Sequence, residues 1–153
     1  MIPMDLTLTP VGIVHSPYLK RGDAPRQGRF SDVLSRIEIF DPYAPGLKDI
    51  EGHKHLVILC WFDRSSRKEL FATPPGSGKE HGVFATRSPE RPNPLGLSLV
   101  DLVSREGPVL TVRGLDAFDG TPVIDIKPHI PDLDCVKPDT KIKGNGRQVL
   151  PSP

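Results

Sequence analysis

Proline and glycine punctuate this sequence so closely that few stretches are left for a long helix. The chain holds 18 prolines and 14 glycines in 153 residues, about one position in five, where about 12% is usual. Proline cannot donate to a helix or to a central strand. A helix bundle is therefore excluded. Disorder fails as the alternative, because apolar runs recur regularly between the prolines.

What survives between the breakers is a series of short strands. Residues 8–15 alternate loosely, and residues 35–40 (SRIEIF) alternate cleanly, with Ile37 and Ile39 on one face. Residues 55–62 (HLVILCWF) form a continuous apolar run, which predicts the central strand. Residues 82–86, 95–102, 109–115 and 122–126 give four more strands, separated by proline or glycine turns. A single helical turn fits 47–51, and 63–72 reads equally as a short helix or an excursion. The fold expected is mainly β, a compact antiparallel β-barrel of short strands with few short helices. One domain over residues 1–136 is expected, with an extended or flexible tail over 137–153.

Charge and motif content narrow the function classes. Lys plus Arg number 20 and Asp plus Glu 19, for a net charge of +1, so no global basic field draws in nucleic acid. The start of the chain shows no signal peptide and the longest apolar run is too short to span a bilayer, which predicts a cytoplasmic protein. Cys60 and Cys135 are the two cysteines. Cys60, inside an apolar run, reads as a buried thiol. GSGKE at 76–80 lacks the upstream glycine of a phosphate loop and has Glu80 where serine or threonine belongs. No GxGxxG follows a strand, which excludes a Rossmann site. His53 and His55 have no evident third ligand, so no metal is expected.

Three clusters carry chemical information. Residues 86–96 read TRSPERPNPLG, with prolines at 89, 92 and 94 stiffening a loop that bears Arg87 and Arg91. Stiffening lowers the entropy lost when a ligand docks. Fixed guanidinium groups suit carboxylates, phosphates and flat rings. Residues 115–127 read LDAFDGTPVIDIK and crowd Asp116, Asp119, Asp125 and Lys127 onto a hairpin turned at Asp119-Gly120. Asp125 and Lys127 are expected on one strand face, with Ile124 and Ile126 on the other. Residues 20–36 carry Lys20, Arg21, Arg26, Arg29 and Arg36 against Asp23 and Asp32, a basic stretch able to face a phosphate backbone.

Taken in order, GIVHSPY at 12–18, PRQ at 25–27, GLKDIEGHKHLVILCWF at 46–62, GVFATRSPERPNPLGLSLV at 82–100 and LDAFDGTPVIDIKP at 115–128 resemble the TsaA-like (YaeB-like) family of TrmO-type tRNA methyltransferases. The resemblance covers most of residues 10–133. It implies a non-Rossmann β-barrel that binds S-adenosylmethionine, forms a homodimer and N-methylates threonylcarbamoyl-adenosine beside the tRNA anticodon. The cofactor-binding positions it implies are Pro25, Arg26, Gln27, Asp63, Arg64, Arg87, Leu97, Leu115, Asp116, Ala117 and Phe118. Arg91, Asn93 and Lys127 are the substrate-binding candidates, with Arg26 a further phosphate contact. Asp119 and Asp125 are the candidates for assisting proton loss from the acceptor nitrogen. The chain departs from many members in having His53 for an aromatic residue and Asp63 for a histidine. Longer bacterial members carry a further C-terminal domain that engages tRNA. Two other readings stand beside tRNA methylation: the same cofactor with a small-molecule acceptor, and a non-catalytic cofactor-binding module.

Overall fold

The computed structural model describes residues 4–20, 22–24 and 31–136. The tail expected at 137–153 lies outside the described residues. Eight strands occur in the order β1 (Gly12–His15), β2 (Leu34–Ile39), β3 (His55–Trp61), β4 (Phe71–Ala72), β5 (His81–Gly82), β6 (Leu95–Glu106), β7 (Val109–Arg113) and β8 (Pro122–Pro128). One short helix, α1 (Pro131–Asp134), follows. Six strands close into a barrel in the order β1-β2-β7-β6-β3-β8, while β4 and β5 form a separate ribbon. Every barrel pair is antiparallel. Closure leaves the barrel without a free sheet edge.

Alternation along each strand fills the interior. Val14, Ile37, Ile39, Leu56, Ile58, Cys60, Val100, Leu110, Val112 and Val123 form one buried cluster with Leu47, Leu115 and Ala117. The clean alternation expected for residues 35–40 is present, with Ser35, Ile37 and Ile39 buried and their neighbours exposed. The β3 strand pairs with β6 on one side and β8 on the other, so its central placement holds. Its outward residues Val57, Leu59 and Trp61 are nevertheless only half-buried. The continuous apolar run thus has one face in the core and one on the barrel wall.

Two bulges shape the wall. The 12-residue β6 pairs first with β3 and then with β7. Its register shifts between Leu102 and Ser104, so Val103 is the extra residue where the strand changes partner. A second shift lets Leu59 and Cys60 face Asp125 and Val123, skipping Ile124. Val123 and Ile126 therefore both pack against the core although three residues apart. This corrects the expected Ile124/Ile126 face: strict alternation fails where β8 bulges. Asp125 and Lys127 do share a face, with Nζ and Oδ2 3.0 Å apart.

Other boundaries also differ from expectation. The first strand begins at Gly12, not residue 8, because Pro10 has no N–H to give a ladder. Residues 83–86 are not a strand. After β5, Val83–Ala85 make a 3-10 turn, closed by Thr86 N and Oγ1 on the Val83 carbonyl. Residues 63–72 are an excursion ending in β4, without a helix. The single turn expected at 47–51 is two 3-10 turns, Asp41–Leu47 and Ile50–Gly52, with Asp49 between them at φ 68°.

Gly96 is buried on β6 under the Phe62 ring, where a Cβ would overlap ring atoms. Gly96→Ala should therefore destabilise the barrel by about 1–3 kcal/mol through overpacking. Urea unfolding measures this. A loss below about 0.5 kcal/mol, ordinary for a surface site, would show that Phe62 yields freely.

Candidate active site

One end of the barrel gathers most of the expected site. There β1, β3 and β7 finish and β2, β6 and β8 begin. The stretch 115–119 closes this end between β7 and β8. Ser16, just past β1, fixes it: its N–H donates to Asp119 Oδ1 (3.1 Å) and its hydroxyl to the Ala117 carbonyl (2.8 Å). Arg64, just past β3, crosses the same end. Its guanidinium donates to the carbonyls of Leu19 (3.0 Å) and Asp119 (2.8 Å) and lies 5.6 Å from the centre of the Phe118 ring. Residues after β1, after β3 and before β8 are thus tied together by one side chain.

Asp116 sits half-buried at this mouth, and its Oδ1 accepts from Ser98 Oγ (2.8 Å). It also faces Cys60. Burial, and then the Asp116 charge, push the Cys60 thiol up to about 12, so it stays protonated and unreactive near neutral pH. Leu115 and Ala117 are wholly buried in the core. Any ligand they touch must meet their backbone, which sequence alone does not reveal. Phe118 is half-buried, with the Arg64 guanidinium against its ring. Asp63 is exposed just after β3, its N–H bonded to the Trp61 carbonyl. Pro25, Arg26 and Gln27 lie outside the described residues.

The proline loop is held by arginines. Arg91 donates through Nη1 to the carbonyls of Thr86 (3.0 Å) and Ser88 (3.2 Å), and through Nη2 to that of Val83. Its own N–H bonds Ser66 O. The Arg91 guanidinium, expected to face an acceptor, is engaged within the chain by the loop's carbonyls. Arg67, which carries no signal in the sequence, donates to Pro92 O (2.9 Å) and Asn93 Oδ1 (3.3 Å) and stacks 5.0 Å from the Trp61 ring. Asn93 is thereby engaged as well. Arg87 is exposed and makes no hydrogen bond or ion pair among the described residues.

The two candidate bases are also engaged. Asp119 Oδ1 accepts from Ser16 N, and Asp125 accepts from Ile126 N (2.9 Å) while pairing with Lys127. Leu97 lies on the outer face of β6, 52% exposed, whereas its neighbour Ser98 points inward to Asp116. His53 is exposed, and His55 Nδ1 bonds Asp101 (2.9 Å). Among the described residues no three His, Cys, Asp or Glu converge as metal ligands, and no helix is long and apolar enough to cross a membrane.

Comparison with known proteins matches residues 13–135 to the tRNA-methyltransferase O N-terminal domain. An S-adenosyl-L-methionine-binding protein of Archaeoglobus fulgidus is 54% identical over 131 residues, covering 86% of this chain and 94% of that protein. The tRNA (adenine(37)-N6)-methyltransferase of Escherichia coli is 38% identical over 132 residues, covering 79% of this chain and 56% of the enzyme. A crystal structure of TrmO superposes with a TM-score of 0.76 at 31% identity, covering 95% of this chain and 65% of that one. The chain thus spans less than two thirds of either methyltransferase.

Arg91→Ala should lower the unfolding free energy by about 2 kcal/mol, since it removes charge-assisted bonds to half-buried carbonyls. Arg87→Ala should cost under about 0.5 kcal/mol. Denaturant titration of both variants decides. Equal, small losses would show that the Arg91 clamp holds nothing.

Proposed function

The chain belongs to the tRNA-methyltransferase O N-terminal domain family, and from that premise we propose that it is an S-adenosylmethionine-dependent methyltransferase acting on the adenosine beside the tRNA anticodon. The observation that carries the reading is the mouth where Asp116, Phe118 and Arg64 meet. A half-buried carboxylate suits a cationic sulfonium, and an aromatic edge suits a purine. The residues therefore fit the cofactor, whose bound form supplies an already activated methyl group. What the chain adds is position. Ser98 orients Asp116, Arg64 fixes Phe118 and the 115–119 stretch, and the clamped proline loop presents Arg87 from a stiff base. Pre-set geometry of this kind supplies a large part of the acceleration when the donor needs no covalent help. The protein works in the cytoplasm on this reading.

The supporting test is transfer of labelled methyl from S-adenosylmethionine to bulk tRNA, with calorimetry for the cofactor. Arg87→Ala should weaken cofactor affinity by about 1.5–3 kcal/mol, the worth of one charge-assisted bond. Cofactor binding without transfer to tRNA, but with transfer to small metabolites, favours the small-molecule acceptor. Binding with no transfer at all favours a sensor module.

A homodimer belongs to the same reading. Leu95, Leu97 and Leu99 on β6 stand outward beside Trp61, Leu59 and Val57 on β3, in direct register. Such an apolar wall suits a two-fold interface. Leu97 faces away from Asp116 within one protomer, which a cofactor site shared between copies reconciles. Light scattering should give twice the 16.8 kDa chain mass, and Leu97→Lys should return the monomer. A wild-type chain that stays monomeric across micromolar concentrations overturns the dimer.

A further inference from the structure

The described arginines divide into two groups. Arg64, Arg67, Arg91 and Arg105 spend their guanidinium groups on carbonyl or side-chain oxygens of the chain. Arg36, Arg87 and Arg113 make no hydrogen bond or ion pair among the described residues. Arg36 and Arg113 stand together on the outer wall formed by β1, β2 and β7. His15 pairs with Arg36, and Arg36 with Thr111. Arg113, paired with Leu34, is the diagonal neighbour of Arg36 on the same face.

Like charges set diagonally on a sheet repel, and the acids nearby are engaged by histidines. Glu38 Oε2 is taken by His15 Nε2 (2.8 Å). Asp101, opposite Arg113 in register, is bonded to His55 Nδ1. A cleft of about 340 Å³ opens on this wall, lined by His15, Pro17, Leu34, Arg36 and Thr111 among others. That size is at the small end of ligand sites, near 300 Å³. Its walls alternate apolar surface with donors: Leu34 and Pro17 offer a flat apolar side, His15 an aromatic ring, Arg36 a fork for phosphate oxygens and Thr111 a hydroxyl. Ser16, which also lines the cleft, is the residue bonded to Ala117 and Asp119 at the barrel mouth. The cleft therefore opens one residue away from the stretch expected to meet the cofactor.

We propose that this cleft is a nucleotide subsite for single-stranded RNA, in which Arg36 in the lining and Arg113 beside it on the same face hold successive phosphates and one base lies against Pro17, Leu34 and His15. It rests on the proposed tRNA acceptor, and gives the RNA strand flanking the target adenosine a track on the barrel itself. Base stacking with fixed guanidinium groups is how proteins hold single strands without a strongly basic global charge.

The probe is a fluorescein-labelled single-stranded oligoadenylate of about ten nucleotides, within the usual site size, titrated by anisotropy at several salt concentrations. Arg36→Ala/Arg113→Ala should weaken binding at least about tenfold and flatten the salt dependence by about 0.7 for each phosphate no longer neutralised. Lys48→Ala, which removes a cation at the far end of the barrel, should leave both unchanged, and cofactor affinity should not move in any variant. Unaltered RNA affinity in the double variant overturns the proposal. So does an equal loss in Lys48→Ala, which marks a diffuse charge effect, or displacement of the strand by an equal concentration of AMP. Thermal melting of each variant shows that the wall still folds, and Arg36→Lys should restore part of the binding. Methylation of tRNA by the wild-type chain, run in parallel, separates the two readings. Transfer at unaltered KM in the double variant removes the cleft and keeps the acceptor. No transfer, with Arg36-dependent strand binding intact, removes the acceptor and keeps the cleft.

Discussion

Loops built from proline leave carbonyl oxygens without the neighbouring N–H groups that would ordinarily bond them. At one end of this barrel, arginine side chains take that place. Arg91 closes the segment 83–88 by three carbonyl bonds, Arg67 binds Pro92 O, and Arg64 joins Leu19 O to Asp119 O. A guanidinium has five donors in a rigid fork, so one side chain can organise a whole turn. The loops at the mouth gain order without helix or sheet, and the presented groups (Arg87, Phe118, Asp116) inherit fixed positions from it.

The closed sheet sets what is left over. Closing six strands removes both edges, so the barrel's surface consists of outward side chains and its two ends. Inward positions are almost entirely aliphatic, down to the protonated Cys60 thiol. Outward positions divide by strand. The wall of β3 and β6 is apolar, and the wall of β1, β2 and β7 is polar and cationic. Two surfaces with different chemistry therefore flank one mouth. The apolar wall is the one assigned above to the proposed dimer, and the cationic wall the one assigned to the proposed RNA strand.

Much of this is legible in the sequence, and the failures have physical causes. The alternation of SRIEIF and the apolar run HLVILCWF locate β2 and β3 within a residue, because period-2 burial is a local signal. The Ile124 face is misplaced because a bulge depends on the partner strand, not on β8 itself. The segment 83–86 reads as a strand by composition, yet it turns because three donors converge on the Val83 carbonyl, two from Thr86 and one from Arg91 eight residues on. The positions implied by resemblance do gather at one mouth in the case of Asp63, Arg64, Asp116 and Phe118. Leu115 and Ala117 turn inward, and Leu97 outward, because a strand or loop position says nothing of which side its Cβ takes once the barrel closes.

The arginines resist reading from sequence for a related reason. Arg87 and Arg91 stand four apart in one stiff loop, and nothing local distinguishes them. Structure does: Arg91 is consumed by carbonyls and Arg87 is left to the solvent side. The same sorting applied to the whole barrel separates structural guanidinium groups from presented ones. Arg36 and Arg113 fall in the second group although they lie in regular strands, where substitution by threonine or glutamate would keep β geometry and lessen repulsion. With a net charge of only +1, the chain has no surplus of positive charge to scatter. Two cations set side by side, with the nearest acids bonded to histidines, concentrate what little it has on the wall that opens beside the mouth.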